Sequence, residues 1–174
     1  MNHISKIGFG GSCHWCTEAI FQSLNGVENV EQGWIASQNE KSNFSEAVIV
    51  HFDAGIISLE TLIAVHLHTH SCTSLHSMRL KYRSAVYVFN PEQTILSQHA
   101  IKILQSEFES PIITKVELFH EFKLNQETYL DYYYKNPEKP FCKNIVTPKL
   151  QILLKQFSGT VDRNKLTESD LPER

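Results

Sequence analysis

Apolar and polar positions follow two rhythms along this chain, and the rhythms lay out its elements. Residues 3–9 carry Ile4, Ile7 and Phe9 and predict a first strand. Two glycines follow. Ala19, Ile20, Phe21 and Leu24 then fall at helical spacing, so 12–24 predicts a helix that Asn25-Gly26 ends. Residues 27–36 alternate loosely through Val27, Val30, Trp34 and Ala36, predicting a second strand. The Asn- and Ser-rich stretch 37–45 predicts a loop. Glu46 to Phe52 is rich in β-branched residues, which suit a pleated surface, and predicts a third strand.

Asp53-Ala54-Gly55 turns the chain. Ser58 is placed to cap a helix whose apolar residues are Leu59, Leu62, Ile63 and Leu67. Residues 70–81 read as polar and irregular, and 84–89 as a strand. Asn90-Pro91-Glu92 opens a helix reaching about Phe108, since proline suits a first helical turn. A strand over 111–119, a short aromatic helix over 126–135 and a last helix over 148–157 complete the pattern. A polar, loose tail is expected from Ser158. Strands and helices alternate throughout, which predicts an α/β or α+β class with helices packed on a sheet. No repeat, low-complexity tract or linker interrupts it, so the reading is one domain over 1–157 and a tail over 158–174.

Composition narrows the function classes. A formal net charge of -3 gives no bulk attraction to nucleic acid or an anionic membrane. No apolar run reaches the length that spans a bilayer, and the first residues lack the basic and apolar regions of a signal peptide. The expected partners therefore include neither nucleic acid nor membrane. Four cysteines are too few for a disulfide scaffold in a chain of 174 residues, which favours a reducing cytoplasm and thiols kept for chemistry.

Chemistry concentrates in Gly10-Gly11-Ser12-Cys13-His14-Trp15-Cys16-Thr17-Glu18. The pattern reads as strand, tight turn, helix, with Cys13 at the helix start. Free amide donors and the positive helix end favour an anion there, and a thiolate is the nucleophilic form of cysteine. Cys13 is thus either a reactive thiol or a small apolar cap, and local sequence leaves both open. Cys16 stands one turn on, at the Cys-x-x-Cys spacing of a thiol–disulfide oxidoreductase.

The same stretch resembles the signature of the peptide methionine sulfoxide reductase A family: Gly-Cys-Phe-Trp, then Cys or Gly, a variable residue and Glu. Further matches fall in the same order. Ser45-Glu46-Ala47-Val48 resembles a His-Ala-Glu-Val strand, and Lys81-Tyr82-Arg83-Ser84-Ala85 resembles Gln-Tyr-Arg-Ser-Ala. Asp131-Tyr132-Tyr133 with Lys135-Asn136-Pro137, and Pro140-Phe141-Cys142 with Pro148-Lys149, resemble the family's C-terminal part. The likeness spans residues 4–157. It implies an α+β, ferredoxin-like mixed sheet with helices packed on it. It also implies thiol-dependent reduction of methionine-S-sulfoxide, free or in proteins, with thioredoxin as electron donor and no bound cofactor.

Carried over residue by residue, the resemblance makes Cys13 the nucleophile, Glu46 the acid, Tyr82 a holder of the sulfoxide oxygen and Trp15 a wall of the methyl pocket. Cys13 would become a sulfenic acid that a second thiol resolves, with Cys142 ranked before Cys72 and Cys16 read as incidental. Without the resemblance, Glu46 reads as a solvent-facing carboxylate and Tyr82 and Trp15 as core. Some positions depart from the pattern. His14 stands for Phe as a substrate-pocket wall, and Trp34 for a second oxygen-binding Tyr. Phe44 replaces a His, the segment before Tyr82 is shorter, Ser77 falls near a missing Asp, and Thr128-Tyr129 replaces Tyr-His. A weakened homologue that binds a ligand or metal through His66, His68, His70, Cys72 and His76 is the competing reading. No metal site is assigned, because this set lacks a standard spacing and an acidic partner.

Overall fold

The computed structural model describes residues 3–166. Its strands are β1 (Ile4–Gly10), β2 (Val27–Ser37), β3 (Glu40–Asp53), β4 (Ala85–Val88) and β5 (Lys115–Leu124). Its helices are α1 (His14–Gln22), α2 (Leu59–His68), α3 (Pro91–Leu104), α4 (Tyr132–Lys135) and α5 (Thr147–Gln156). Ser58 caps α2 by accepting from Thr61 N at 3.1 Å, and Asn90 caps α3 by accepting from Gln93 N at 2.8 Å. Those short side chains satisfy amides that no helical carbonyl reaches. The predicted loop at 37–45 is instead the arm of a long β2–β3 hairpin that turns at Gln38-Asn39. Residues 40–42 are exposed, so no buried face marks the strand with apolar residues. The strand predicted over 111–119 starts later, at Lys115, and the predicted helix over 126–135 is a single turn at 127–129 followed by α4.

The architecture is an α+β mixed sheet with helices packed on it. The strand order is β1-β3-β2-β5-β4, and β4 returns to pair with β1, so the sheet closes. Among the described residues only β4 and β5 run parallel. Alternation along the strands divides the core. Ile7, Phe9, Val48, Val50 and Phe52 face the helices and meet Ile20, Phe21, Leu62 and Leu150 there. Ile35, Ala47, Ile49, Ala85 and Tyr87 pack together on the other face, toward the barrel axis.

Register decides what lies beside what. Gly10, the last residue of β1, pairs with Ala47 of β3, and Trp34 of β2 pairs with Glu46. Residues directly opposite share a face. Glu46 therefore points to the helix side, where the chain leaving β1 turns into α1. The described part of the C-terminal segment is docked: Val161 bridges Leu24, and Lys165 Nζ donates to the carbonyls of Leu24 and Val27 at 3.0 Å each. The tail from residue 167 lies outside the described residues.

Two buried polar pins have opposite pH sensitivity. Glu18, 1% exposed, accepts from the amides of Asp131 at 3.1 Å and Tyr132 at 3.2 Å. Burial pushes its carboxyl up to about 7. His66 Nε2 donates to Gly10 O at 2.9 Å, and its ring stacks on His70 at 4.1 Å. Burial lowers both rings, His70 to about 4. For Glu18 the folded value lies above the unfolded one near 4.5, so its support is full below 4.5 and is lost as pH rises toward 7. For His70 the folded value lies below 6.5, so its support is full above 6.5 and is lost as pH falls toward 4. The Glu18 and His70 contributions are each of the order of 3 kcal/mol and oppose one another, with His66 acting in the same sense as His70. Urea unfolding at a series of pH values separates them. Glu18→Gln is expected to lose stability more steeply than the native chain on acidification from 7 to 4.5, and His70→Gln less steeply. Identical slopes in all three would refute the assignment.

Candidate active site

Cys13 is the residue on which α1 begins. Its carbonyl accepts from Cys16 N at 3.1 Å and Thr17 N at 3.2 Å, while no side chain caps the helix. The turn that delivers it needs Gly11. Its φ of +151° is one L side chains rarely adopt, and a Cβ there would stand 2.5 Å from the His70 ring. Arg79 ties the next wall in place. Its guanidinium donates to Gly11 O at 2.8 Å and Tyr82 O at 2.9 Å. The backbone of β3 then holds residues 81–83: Glu46 N donates to Lys81 O at 3.0 Å, and Ser45 Oγ accepts from Arg83 N at 2.7 Å. Tyr82 is thereby fixed beside the acid.

One cavity of about 460 Å³ takes in Cys13, His14, Trp15, Trp34, Glu46 and Tyr82, the sequence-predicted set apart from the resolving thiols. The Glu46 side chain is 7% exposed. Its Oε1 lies 3.4 Å from His14 N and 3.2 Å from His14 Nε2. Its Oε2 is buried with no hydrogen-bond partner, and Lys81 Nζ stands 3.6 Å away. Trp15 lies flat on Tyr132 with ring centroids 3.9 Å apart, meets Tyr129 at 5.8 Å, and takes Phe141 edge-on at 5.4 Å. Trp34 meets His14 edge-on at 5.1 Å. A second cavity of about 660 Å³ opens on the other side of Cys13, toward His70, Met78 and Lys149.

Burial raises the Tyr82 hydroxyl above its ordinary value, against the pull of Lys81, whose ammonium hydrogen-bonds it. The thiols of Cys13 and Cys16 hydrogen-bond each other. That bond pulls one ionisation down, at Cys16, and pushes the other, at Cys13, up, with burial adding to the rise. The pair therefore loses its first proton easily and holds its second.

Several residues escaped the sequence reading. Cys16, read there as incidental, lies against Cys13. Lys81 was visible as a departure from Gln beside Tyr82. Gln32 and Asn125, which complete the polar wall, carry no local signal. Cys142 is fully buried and feels the charge of Cys16, and neither Cys142 nor Cys72 lines either cavity. Ser77 and Thr128 are exposed and line neither cavity. In the histidine-rich stretch, His70 spends its nitrogens on His66 O and Ser84 Oγ, and His68 binds Glu107 at 2.8 Å. Among the described residues, no group of three His, Cys, Asp or Glu is placed to hold a metal ion. No helix among them is long and apolar enough to cross a membrane.

A thiol at a helix start with a second thiol against it is the equipment of a thiol oxidoreductase, and that is the class this fold and site define. The family model described as "Peptide methionine sulfoxide reductase" matches residues 5–161. Curated relatives point the same way. A peptide methionine sulfoxide reductase MsrA 1 of Rhodopirellula baltica is 30% identical over 165 residues, 87% of this chain and 86% of its own. An MsrA of Deinococcus radiodurans is 33% identical over 167 residues, 87% of this chain and 81% of its own. Among solved structures, reduced Mxr1 of Saccharomyces cerevisiae superposes with a TM-score of 0.72 at 19% identity, covering 80% of this chain and 89% of that one. Mxr1 in complex with Trx2 gives 0.60 at 17% identity, covering 74% and 84%. The chain belongs to the peptide methionine sulfoxide reductase family.

The thiol pair has a direct test. Cys16→Ala removes the hydrogen bond that holds the Cys13 thiol up. Iodoacetamide labelling of Cys13, located by mass spectrometry, is expected to move to lower pH. An unchanged labelling curve would show that the two thiols do not share a proton.

Proposed function

We propose that this protein reduces methionine-S-sulfoxide, free or in oxidised proteins, through a sulfenic acid on Cys13. The observation that carries the reading is a thiol and a buried carboxyl in one cavity, the carboxyl having an unpartnered oxygen. The S configuration follows from the family resemblance alone. The Cys13 thiolate attacks the sulfoxide sulfur, and Glu46 gives a proton to the oxygen as charge builds on it. The Tyr82 hydroxyl donates to the same oxygen. The adduct then rearranges: the new bond between the two sulfurs and the substrate's S–O bond break as the oxygen passes to the Cys13 sulfur, giving sulfenic acid and the free thioether. A second thiol then attacks that sulfur, forming a disulfide and releasing water.

Trp15 is the apolar floor for the substrate methyl, stiffened by its stack on Tyr132, with His14 and Trp34 as the far wall. Cys16 is the first resolving thiol by contact, and Cys142 the next. Thioredoxin is the expected reductant of the resulting disulfide; the relative Mxr1 has been solved with Trx2. The chain's free thiols fit a cytoplasmic setting.

Turnover of methionine sulfoxide with dithiothreitol tests the chemistry. Cys13→Ser is expected to abolish it. Glu46→Gln is expected to lower kcat by roughly 10²–10⁴-fold, the usual worth of a general acid. Equal activity in Cys13→Ser and the native chain would sink the reading. Peptide mapping after one equivalent of sulfoxide identifies the resolving thiol: a Cys13–Cys16 bridge is expected, and a Cys13–Cys142 or Cys13–Cys72 bridge would reassign it.

A further inference from the structure

His14 opens α1 and meets the acid through its ring, and its two nitrogens have partners of different kinds. Nδ1 lies 2.8 Å from the Gly33 carbonyl oxygen, which only accepts, so Nδ1 carries a hydrogen. Nε2 faces Glu46 Oε1 at 3.2 Å and Asn125 Nδ2 at 3.5 Å. The Asn125 amide is oriented by its other bonds. Its Oδ1 accepts from Gln126 N at 2.8 Å, and its Nδ2 donates to Gln32 Oε1 at 2.7 Å. Gln32 is oriented in turn, because its Nε2 donates to Tyr129 O at 2.9 Å. The group Asn125 turns toward His14 is therefore a donor, and it fits a lone pair on Nε2. A carboxylate oxygen against that lone pair would be two acceptors in contact in a buried site, which is unfavourable. A proton between them removes the conflict.

We propose that His14 and Glu46 hold a single proton between them, with His14 as the positioning residue that keeps it on the acid. The proposal rests on the reductase reading above. The titratable groups around the pair are Cys13 and Cys16 from α1, Lys81 and Tyr82 from the segment bound to β3, and Tyr129 beyond β5. Burial lowers the imidazole below its ordinary range, Lys81 adds to that, and the Gly33 carbonyl and Glu46 oppose it. A neutral ring is the acceptor that the shared proton requires. That proton has two seats: Oε1, against His14, and Oε2, which accepts no hydrogen bond and stands 3.6 Å from Lys81 Nζ. A half-turn of the carboxyl exchanges them, and a sulfoxide oxygen beside Oε2 competes for the second. Once the proton leaves, the carboxylate faces the imidazole lone pair and takes up a proton from solvent, equal to the one released when Cys13 formed its thiolate. The balance closes as thiol plus sulfoxide giving sulfenic acid plus thioether, with no other reactant. His14 thus serves the acid and is more than a polar pocket wall.

His14→Gln keeps the bulk but places an amide donor where Nε2 accepts, which favours the carboxylate. The alkaline limb of the kcat/KM–pH profile is expected to move down by about one unit or more, with thermal unfolding confirming a folded variant. In a Glu46→Gln background the same change is expected to cost less than about twofold, because His14 acts through the acid. An unmoved limb, or losses that multiply in the double variant, would overturn the proposal. Nitrogen-15 spectra of histidine-labelled protein read the proton without turnover. Nδ1 is expected protonated and Nε2 accepting at neutral pH, and the Nε2 resonance is expected to move in Glu46→Gln. A bare Nδ1, or an Nε2 indifferent to Glu46, would overturn it. A native chain without turnover would defeat the reductase reading instead, while the spectra still decide the shared proton.

Discussion

The antiparallel register of β1 on β3 is the constraint on which the rest depends. Pairing Gly10 with Ala47 sets the end of β1 beside Glu46, so the chain has only Gly11 and Ser12 in which to turn before Cys13 starts a helix. A slip of one residue would send Glu46 to the barrel axis, among Ile35, Ile49 and Tyr87, and leave the thiol facing Ser45 or Ala47. The register is defended from both sides. Phe9 and Val48 must face the helices, while Gly8, Gly10, Ala47 and Ala85 supply the small residues that the crowded interior accepts. Cys13 and Glu46, the proposed nucleophile and acid, therefore meet through strand packing and not through loop conformation. That suits chemistry in which small displacements are costly.

The buried carboxyl then creates a difficulty that polar neighbours resolve. An acid with one oxygen lacking a partner is expensive unless it is neutral or its other contacts are good. Here one oxygen is engaged by His14, and the other is left open toward the cavity with an exposed lysine at its edge. The supporting chain of amides runs from His14 through Asn125 and Gln32 to the Tyr129 carbonyl, and Gln32 also reaches Glu18. Substituting His for the Phe of the family pattern thus brings in a linked set of polar partners. Evidence that His14 belongs to the acid lies in these orientations more than in its position in the signature.

Much of this was legible in the sequence because its signals are local. Helix caps at Ser58 and Asn90, the β-branched run at Glu46–Phe52 and the glycine pair before Cys13 each act within a few residues. The hairpin arm at 40–45 was not legible, since it projects past the helices and has no apolar face to display. Nor was barrel closure: β4 and β5 pair in parallel across a long connection, and nothing in either strand names its partner. In the site, Cys13, Glu46 and Tyr82 were reachable through spaced motifs. Asn125 and Gln32 were not, because a polar residue that works by orienting another looks like any surface amide until the sheet folds. The proximity of Cys16 to Cys13 was not legible for a related reason: the sequence shows their spacing but not that the two thiols face each other.

Glu18 shows how a signature residue can matter without touching the reaction. It lies on the side of α1 away from the cavity and accepts the two amides at the turn where Asp131 adopts a left-handed φ of 54°. That turn aims Tyr132 at Trp15, and the stack of the two rings makes a rigid apolar floor from a side chain that would otherwise be free to rotate. The carboxylate can do this only by staying buried, and burial lifts it to about 7, near the pH at which thiols and thiolates interconvert. Protonation keeps Glu18 comfortable in the core but weakens its hold on the two amides, whereas ionisation strengthens the hold at a desolvation cost. The floor of the pocket and the ionisation of a residue outside it are therefore coupled through the same few atoms. A Glu at this position fixes the 131–132 turn with two acceptor oxygens at once, which an apolar residue cannot do.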